Sequence, residues 1–286
     1  MSEFSDCYWQ SRDGLKLHYR DFPGRPDRPP VLCLPGLTRN ARDFEGLAAA
    51  LAGEWRVICP DLRGRGDSAY AKDSATYNPL QYADDLGALF DQAGIERFVA
   101  IGTSLGGLLT MIVAMTGPER VAGAAFNDVG PEVDAAGLER IRGYVGQGRS
   151  FPTWMHAARA LEEAAAAVFP DYAIDEWLTT AKRTMTLGSN GRVVFDYDMR
   201  IAEPFAVADG ATGAVDLWPA IDALADKPVL VLRGETSDIL SPDTLAKMLA
   251  RLPHGEAVTV PRVGHAPSLD EPEARAGIAR LLARVQ

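Results

Sequence analysis

The feature that most constrains the fold is the turn Gly102-Thr103-Ser104-Leu105-Gly106, which joins two apolar segments. Before it, Phe98 to Ile101 is a short apolar run that ends at a glycine, as buried strands of parallel sheets often do. After it, Leu105 to Met115 is apolar on nearly every side, which indicates a helix at the centre of the molecule. In this context the pattern G-x-S-x-G predicts a sharp, strained turn that lifts the hydroxyl of Ser104 above the sheet edge.

Apolar runs and helical patterns alternate on both sides of this turn. Short runs bounded by glycine or proline predict further buried strands at Val31–Leu34, Trp55–Cys59, Val121–Phe126, Pro228–Leu232 and Ala257–Val260. The segment Leu15 to Tyr19 alternates with period two, which predicts a half-exposed edge strand. This order predicts an α/β fold with a mostly parallel central sheet flanked by helices.

The alternation is interrupted between about Pro131 and Gly213, where the sequence predicts no buried strand. Three helical stretches take its place, the first around Leu138 to Val145, the second at Ala157 to Phe169 and the third at Ile174 to Met185. We therefore predict that residues 1–130 and 214–286 form an α/β core domain and that residues 131–213 form a helical cap, or lid, inserted into it.

The composition argues against several kinds of partner. A formal net charge of -10 disfavours nucleic acid and anionic membranes as partners, because both are bound through clustered Lys and Arg. No signal-peptide pattern and no apolar run of about 18 residues is present, so we expect a cytoplasmic protein. The three cysteines have no metal-site spacing, and we expect neither a metal nor a cofactor. The oligomeric state is left open.

A serine hydroxyl needs a base to act as a nucleophile at neutral pH. The chain has four histidines, His18, His156, His254 and His265. Only His265 follows the last predicted strand, and catalytic groups of open α/β sheets gather at the carboxyl ends of the strands. We therefore predict that His265 is the base for Ser104.

The base in turn needs a carboxylate to orient it. Asp238 follows the strand that ends at Leu232 and lies between Ser104 and His265 in sequence, so we predict Asp238 as this acid. Two alternatives stay open. Asp128 follows the strand that adjoins the nucleophile strand, and Glu235 lies close to the same strand end as Asp238.

Negative charge on a substrate oxygen requires hydrogen-bond donors that point at it. One predicted donor is the backbone N–H of Leu105, the residue after the serine. The other comes from the loop Pro35 to Asn40, which follows a predicted strand, and the N–H of Leu37 is our choice by position.

These motifs resemble those of the α/β-hydrolase superfamily, in its cap-bearing branch of esterases, lactonases, carbon–carbon bond hydrolases and epoxide hydrolases. The matching segments are Leu34-Pro35-Gly36, Asp61 to Ser68, Gly102 to Gly107, Gly234 to Asp238 and Gly264-His265. The chain has Pro35 where many members have a histidine. The resemblance implies acyl transfer, because the dehalogenases and epoxide hydrolases of the superfamily use an aspartate nucleophile where this chain has Ser104.

We therefore predict a serine hydrolase that cleaves a small, mostly apolar carboxylic ester or lactone. Candidate substrate-binding residues are Arg39 and Asn40 in the loop after the first buried strand, and Trp154 and Tyr197 in the cap. Three alternatives remain open: a carbon–carbon bond hydrolase acting on a vinylogous diketone with the same triad, an acyltransferase, and a non-catalytic receptor for a small molecule.

Overall fold

The computed structural model describes residues 4–207 and 215–285. Its strands are β1 (Ser5–Gln10), β2 (Lys16–Phe22), β3 (Val31–Leu34), β4 (Val57–Pro60), β5 (Phe98–Thr103), β6 (Val121–Asn127), β7 (Ser150–Phe151), β8 (Met185–Leu187), β9 (Val193–Phe195), β10 (Val229–Gly234) and β11 (Gly255–Val260). Its α-helices are α1 (Glu45–Leu51), α2 (Pro79–Ala93), α3 (Leu105–Thr116), α4 (Ala135–Arg142), α5 (Trp154–Ala165), α6 (Ile174–Thr184), α7 (Ala202–Val207), α8 (Trp218–Asp222), α9 (Pro242–Arg251) and α10 (Pro272–Ala283).

Eight strands form the central sheet, in the order β1-β2-β4-β3-β5-β6-β10-β11. All neighbours from β4 to β11 are parallel, whereas β2 runs antiparallel to both β1 and β4. The predicted fold class, a mostly parallel sheet flanked by helices, is therefore confirmed. Since the order places β5, β6, β10 and β11 side by side, the loops that follow these four strands meet at one edge of the sheet.

The sheet is buried on both faces, which explains why its central strands are continuous apolar runs. Along β5 the side chains of Phe98 and Ala100 join an apolar cluster with α2 and α3, while Val99 and Ile101 join a second cluster with α1 and α10. This alternation follows from the two-residue period of a strand. Helix α3, the apolar helix after the serine turn, packs between the sheet and helices α2 and α8.

The predicted edge strand is not at the edge. Strand β2 lies between β1 and β4, and its Leu17, His18 and Tyr19 are all buried. The edge position belongs to β1, which was not predicted because five of its six residues are exposed or half-buried and only Trp9 reaches the core. His18 looked like an outward polar residue in the sequence, but its imidazole is satisfied inside the protein by the carboxylate of Asp61, 2.7 Å away.

The insert between β6 and β10 contains the three predicted helices, as α4, α5 and α6. It also contains strands β7, β9 and β8, which form a small, partly buried antiparallel sheet that the sequence did not indicate. These strands have only two or three residues each, too few for a periodicity to show. The helices and the small sheet pack around Phe151, Trp177 and Met185. The predicted cap boundary at residue 213 lies outside the described residues, and the division into core and cap domains stays a prediction.

Within residues 4–207 and 215–285, no helix combines the length and the apolar character that crossing a bilayer would require.

Candidate active site

Ser104 occupies a strained turn between β5 and α3. Its backbone φ of 52° and ψ of -114° lie in a region that residues other than glycine rarely adopt. The turn is so tight that a Cβ on Gly102 would lie 2.4 Å from the carbonyl oxygen of Gly106, and one on Gly106 would lie 2.1 Å from the carbonyl oxygen of Leu34. The two glycines are therefore steric requirements of the turn that presents Ser104 at the sheet edge.

His265 lies within hydrogen-bonding distance of Ser104, as predicted from its position after the last strand. The Nε2 of His265 is 2.9 Å from the Oγ of Ser104, and its Nδ1 is 2.8 Å from the Oδ2 of Asp128. The imidazole side chain is 8% exposed and that of Asp128 is fully buried. Serine hydroxyl, imidazole and carboxylate thus form one continuous chain of hydrogen bonds.

The carboxylate in this chain is Asp128, the alternative, and the predicted Asp238 does not contact His265. Asp238 accepts two hydrogen bonds from Arg140 of α4 instead, from Nε at 2.5 Å and from Nη2 at 2.8 Å. These hydrogen bonds hold the pKa of Asp238 below its usual value and raise the pKa of Arg140. Glu235, the other alternative, is exposed and accepts from the backbone N–H of Arg262.

The geometry of the loop after β10 explains this correction. There it is Ser237 that turns inward, where its hydroxyl donates to the Oδ2 of Asp128 at 2.7 Å, and the next residue, Asp238, consequently faces the insert. The backbone N–H of Gly234 donates to the Oδ1 of Asp128 at 2.9 Å. Asp128 itself has a φ of 59° directly after β6, and its backbone N–H donates to the carbonyl of Leu232. The carboxylate is therefore fixed by three donors, His265 included.

The two predicted oxyanion donors are free to bind a ligand. Among the described residues, neither the N–H of Leu37 nor that of Leu105 donates a hydrogen bond to another protein group. Leu105 is the first residue of α3, where an N–H has no partner within the helix. The helix dipole adds partial positive charge at the same point. This arrangement suits a developing oxyanion next to Ser104.

Two of the four candidate substrate-binding residues belong to the loop after β3, and they differ in role. Asn40 is buried, and its Oδ1 accepts from the N–H of Arg42 to cap the short 3-10 helix Ala41–Phe44, so its side chain is structural. Arg39 lies beside the nucleophile. Its Cγ and the Cβ of Ser104 are both within 4 Å of the point that a Cβ on Gly36 would occupy.

The two candidates in the insert mainly serve its packing. Trp154 is half-buried against the apolar cluster formed by the insert's helices and small sheet. Tyr197 is 5% exposed and packs with the main core, and its hydroxyl accepts from the N–H of Gly146 at 3.2 Å. Burial raises the pKa of the Tyr197 phenol, which therefore stays protonated. The fixed position of Tyr197 attaches the insert to the core.

Within the part of the chain that the structure describes, one group of side chains has ligand atoms close enough together for a metal ion, namely His18, Asp61 and Asp67, whose atoms lie within 4.8 Å of one another. Hydrogen bonds account for most of these atoms. The Asp61 carboxylate accepts from His18 at 2.7 Å, from the N–H of Ala41 at 2.7 Å and from the N–H of Asp67 at 3.1 Å. The cluster ties β2 to the glycine-rich loop after β4 and to the start of the 3-10 helix.

Three contributors to the site were missed in the sequence. Ser237 supports Asp128, Arg140 pairs with Asp238, and Arg65 donates through Nε to the carbonyl of Leu37 at 2.9 Å. Arg65 lies in the loop that follows β4, and its role depends on contacts between distant segments, for which a single sequence carries no signal. With these supporting contacts, the site brings together a nucleophile, a base, an acid and two N–H donors, the groups required for acyl transfer.

Comparisons with known proteins support the fold. The model of the α/β-hydrolase fold family matches residues 29–272. A relative from Cupriavidus necator, named 3-hydroxybutyrate-oligomer hydrolase, is 38% identical over 264 residues, which are 90% of this chain and 89% of the relative. A relative from Mesorhizobium japonicum, named 2-(acetamidomethylene)succinate hydrolase, is 29% identical over 239 residues, which are 83% of this chain and 81% of the relative. The crystal structure of an α/β hydrolase from Novosphingobium aromaticivorans superposes with a TM-score of 0.96 at 67% identity and covers both chains completely.

Proposed function

Because the chain belongs to the α/β-hydrolase fold family, we propose that it is a serine hydrolase that cleaves a short carboxylic ester through an acyl-enzyme. The observation that carries this proposal is the unbroken hydrogen-bond chain from the Oγ of Ser104 through His265 to Asp128. A carboxylate on Nδ1 selects the tautomer in which Nε2 can accept the serine proton.

In the proposed reaction the Oγ of Ser104 attacks the ester carbonyl carbon while the Nε2 of His265 takes the hydroxyl proton. The oxyanion that forms is held by the N–H groups of Leu37 and Leu105. The C–O bond to the alcohol then breaks, and His265 returns the proton to the departing alkoxide. A water molecule, deprotonated by the same imidazole, releases the acid and restores Ser104.

The substrate class is proposed from the relatives and from the sequence. The relative from Cupriavidus necator is named for oligomers of 3-hydroxybutyrate, which are short chains of ester bonds with methyl side groups. Such oligomers are small and mostly apolar esters, which is the substrate class predicted from the sequence. We therefore propose hydroxy-acid esters as the first natural substrates to test.

The experiment compares wild type with Ser104→Ala on p-nitrophenyl butyrate. We expect the variant to lose several orders of magnitude in kcat, because removal of the nucleophile abolishes the acyl-enzyme route. Ser150→Ala is the matched control, since Ser150 lies exposed at the start of β7 and pairs with Arg192 of the insert. A fluorophosphonate probe should label wild type and the control but not Ser104→Ala.

Ester hydrolysis that survives in Ser104→Ala would contradict the proposal. If wild type is labelled by the probe but cleaves no ester, the carbon–carbon bond hydrolase becomes the better hypothesis, and a vinylogous diketone is the substrate to try. Transfer of the acyl group to an added alcohol or thiol in preference to water would instead identify an acyltransferase.

A further inference from the structure

The side chain of Arg39 is placed between the nucleophile and the insert. It lies in the loop after β3, and its Cγ is 3.4 Å from the point that a Cβ on Gly36 would occupy, with the Cβ of Ser104 3.8 Å from the same point. On the other side, the charge of Arg39 favours ionisation of Tyr144 and Tyr172 of the insert, although burial outweighs this effect and raises the pKa of both phenols. The side chain of Arg39 therefore begins beside the nucleophile and extends toward phenols of the insert.

The guanidinium is held in place but keeps one edge free. Its Nε and Nη2 donate to the two carboxylate oxygens of Asp43, at 2.6 and 2.8 Å. Among the described residues nothing accepts a hydrogen bond from Nη1. Because a guanidinium carries five N–H donors in a fixed plane, the Nη1 edge is oriented and still available to an acceptor. About a third of the side-chain surface is exposed, so an acceptor can reach it.

The arginine remains charged in this setting. Burial in the cleft opposes the charge, but Asp43 outweighs this effect and raises the pKa of Arg39. Burial likewise raises the pKa of Tyr144, although Arg140 and Arg39 act in the opposite direction, so the tyrosine stays protonated and can donate a hydrogen bond. The surroundings of Arg39 therefore include N–H and O–H donors that are able to bind an acceptor.

A purely structural role explains this arrangement poorly. Arg39 and Asp43 are four positions apart in one segment, so their pair joins no distant parts of the chain. Partly exposed pairs of this kind contribute little to stability. A long cationic side chain beside a nucleophile, with one donor edge unoccupied, is better explained by binding of an anionic substrate group.

We propose that the Nη1 edge of Arg39 binds a carboxylate of the substrate, so that the enzyme prefers esters that carry a free carboxylate close to the scissile bond. This inference rests on the proposed ester hydrolysis and makes it more specific. It selects hydroxy-acid oligomers with a free acid end over neutral esters. Asp43 orients the guanidinium and compensates most of its charge, so recognition depends on directed hydrogen bonds more than on net charge.

The test uses two substrates that differ only in this group, the linear dimer of 3-hydroxybutyrate and its primary amide. Each has one ester bond, and product release is followed by chromatography. We expect wild type to have the higher kcat/KM on the acid, and Arg39→Gln to lower the ratio of acid to amide by roughly 10- to 100-fold, the cost of an unmade charged hydrogen bond. Arg39→Lys, which keeps the charge without the planar fork, should recover only part of the preference.

A matched control is Arg159→Gln, because Arg159 is an exposed arginine of α5 that pairs with Glu162 of its own helix. Its acid-to-amide ratio should equal that of wild type. Binding is measured separately by calorimetry with Ser104→Ala, which should bind the acid dimer more tightly than the amide. The double variant with Arg39→Gln should lose this difference.

Equal turnover of acid and amide by wild type, or a preference that Arg39→Gln leaves intact, would overturn the carboxylate site while ester hydrolysis stood. Failure of wild type to cleave either dimer or p-nitrophenyl butyrate would instead reject the proposed function. In that case, equal affinity of Ser104→Ala for acid and amide would reject the carboxylate site as well.

Discussion

The Nε of Arg65 donates a hydrogen bond to the carbonyl oxygen of Leu37 over 2.9 Å, which joins a fully buried cation to the loop that carries a proposed oxyanion donor. Among the described residues Arg65 has no carboxylate partner. Its guanidinium donates instead to the carbonyl of Arg63 at 2.6 Å and to the phenol oxygen of Tyr82 at 3.0 Å, and it lies over the ring of Tyr82. An unpaired buried charge is costly. We infer that Arg65 offsets this cost through function, because it fixes the loop that carries the N–H of Leu37.

We expect Arg65→Lys to lower kcat by roughly 10- to 100-fold with a smaller change in KM, because a lysine amine cannot make the same set of bonds and the Leu37 N–H would lose its fixed direction. Rates are expressed per active site labelled by the fluorophosphonate, so that poor folding does not imitate the effect. Arg63→Lys is the control, since Arg63 is equally buried in the same loop but pairs with Asp85. A loss of kcat of the same size in both variants would contradict a specific role for Arg65.

Asp128→Asn should reduce kcat by several orders of magnitude while the protein remains folded. The amide can still accept or donate at His265, but it no longer favours the tautomer in which Nε2 accepts the serine proton, and it does not stabilise the imidazolium. Asp238→Asn is the matched variant and should retain most of its activity, because Asp238 contacts Arg140 and not the imidazole. Steady-state kinetics on p-nitrophenyl butyrate decides between the two carboxylates. A larger loss in Asp238→Asn would restore the acid predicted from the sequence.

Stability should depend on pH through His18. Its burial opposes protonation, but the hydrogen bond and charge of Asp61, helped by Asp6, outweigh burial and raise the pKa of His18. A raised folded-state pKa contributes stability that is complete below the unfolded pKa, about 6.5, and is lost as pH rises through the folded value.

Urea unfolding gives the free energy of unfolding of wild type and of His18→Gln at about pH 6 and about pH 8.5. The change with pH in the difference between the two proteins measures the contribution of His18. We expect the free energy of unfolding of wild type to exceed that of the variant by more at the lower pH. A gap between the two proteins that grows with rising pH would show that the pKa is lowered instead.

The glycine turn gives a prediction on stability alone. Gly106→Ala should destabilise the protein by at least about 2 kcal/mol, because the new Cβ would lie 2.1 Å from the carbonyl oxygen of Leu34 and neither backbone can move freely. Gly87→Ala is the counterpart, in the interior of α2 with only the end of Arg12 nearby at 3.6 Å. It should stabilise the helix by about 0.5–1 kcal/mol. Thermal unfolding of the wild type and the two variants shows whether Gly106→Ala is destabilised and Gly87→Ala is stabilised.

The alternation of strands and helices and the positions of the nucleophile and base could be predicted because they depend on local patterns. The strand before Ser104 and the helix after it are each recognisable, and His265 is the one histidine that follows a predicted strand of the sheet at its carboxyl end. The acid was harder, since three carboxylates lie beyond two adjacent strand ends. Which of them turns inward depends on the conformation of a single loop, and Ser237 takes the inward place that the sequence order assigned to its neighbour Asp238.

Long-range contacts account for the remaining differences. Strand β1 is paired only at one side and exposes most of its side chains, so it shows no apolar run. The strands of the insert are short, and they are held by contacts among Phe151, Trp177 and Met185 that bring together separate parts of the chain. The role of Arg65 likewise exists only once the loops after β3 and β4 are neighbours.

The position of Asp128 also separates the residues proposed for catalysis from those that face the insert. Its carboxylate stands on β6, between the strands that carry the nucleophile and the base, and its hydrogen-bond donors come from β10 and the loops around it. The ion pair of Asp238 with Arg140 joins the loop after β10 to helix α4 of the insert. In the proposed reaction, changes in length or sequence on the insert's side of that pair can therefore alter substrate preference while the hydrogen-bond chain from Ser104 through His265 to Asp128 stays the same.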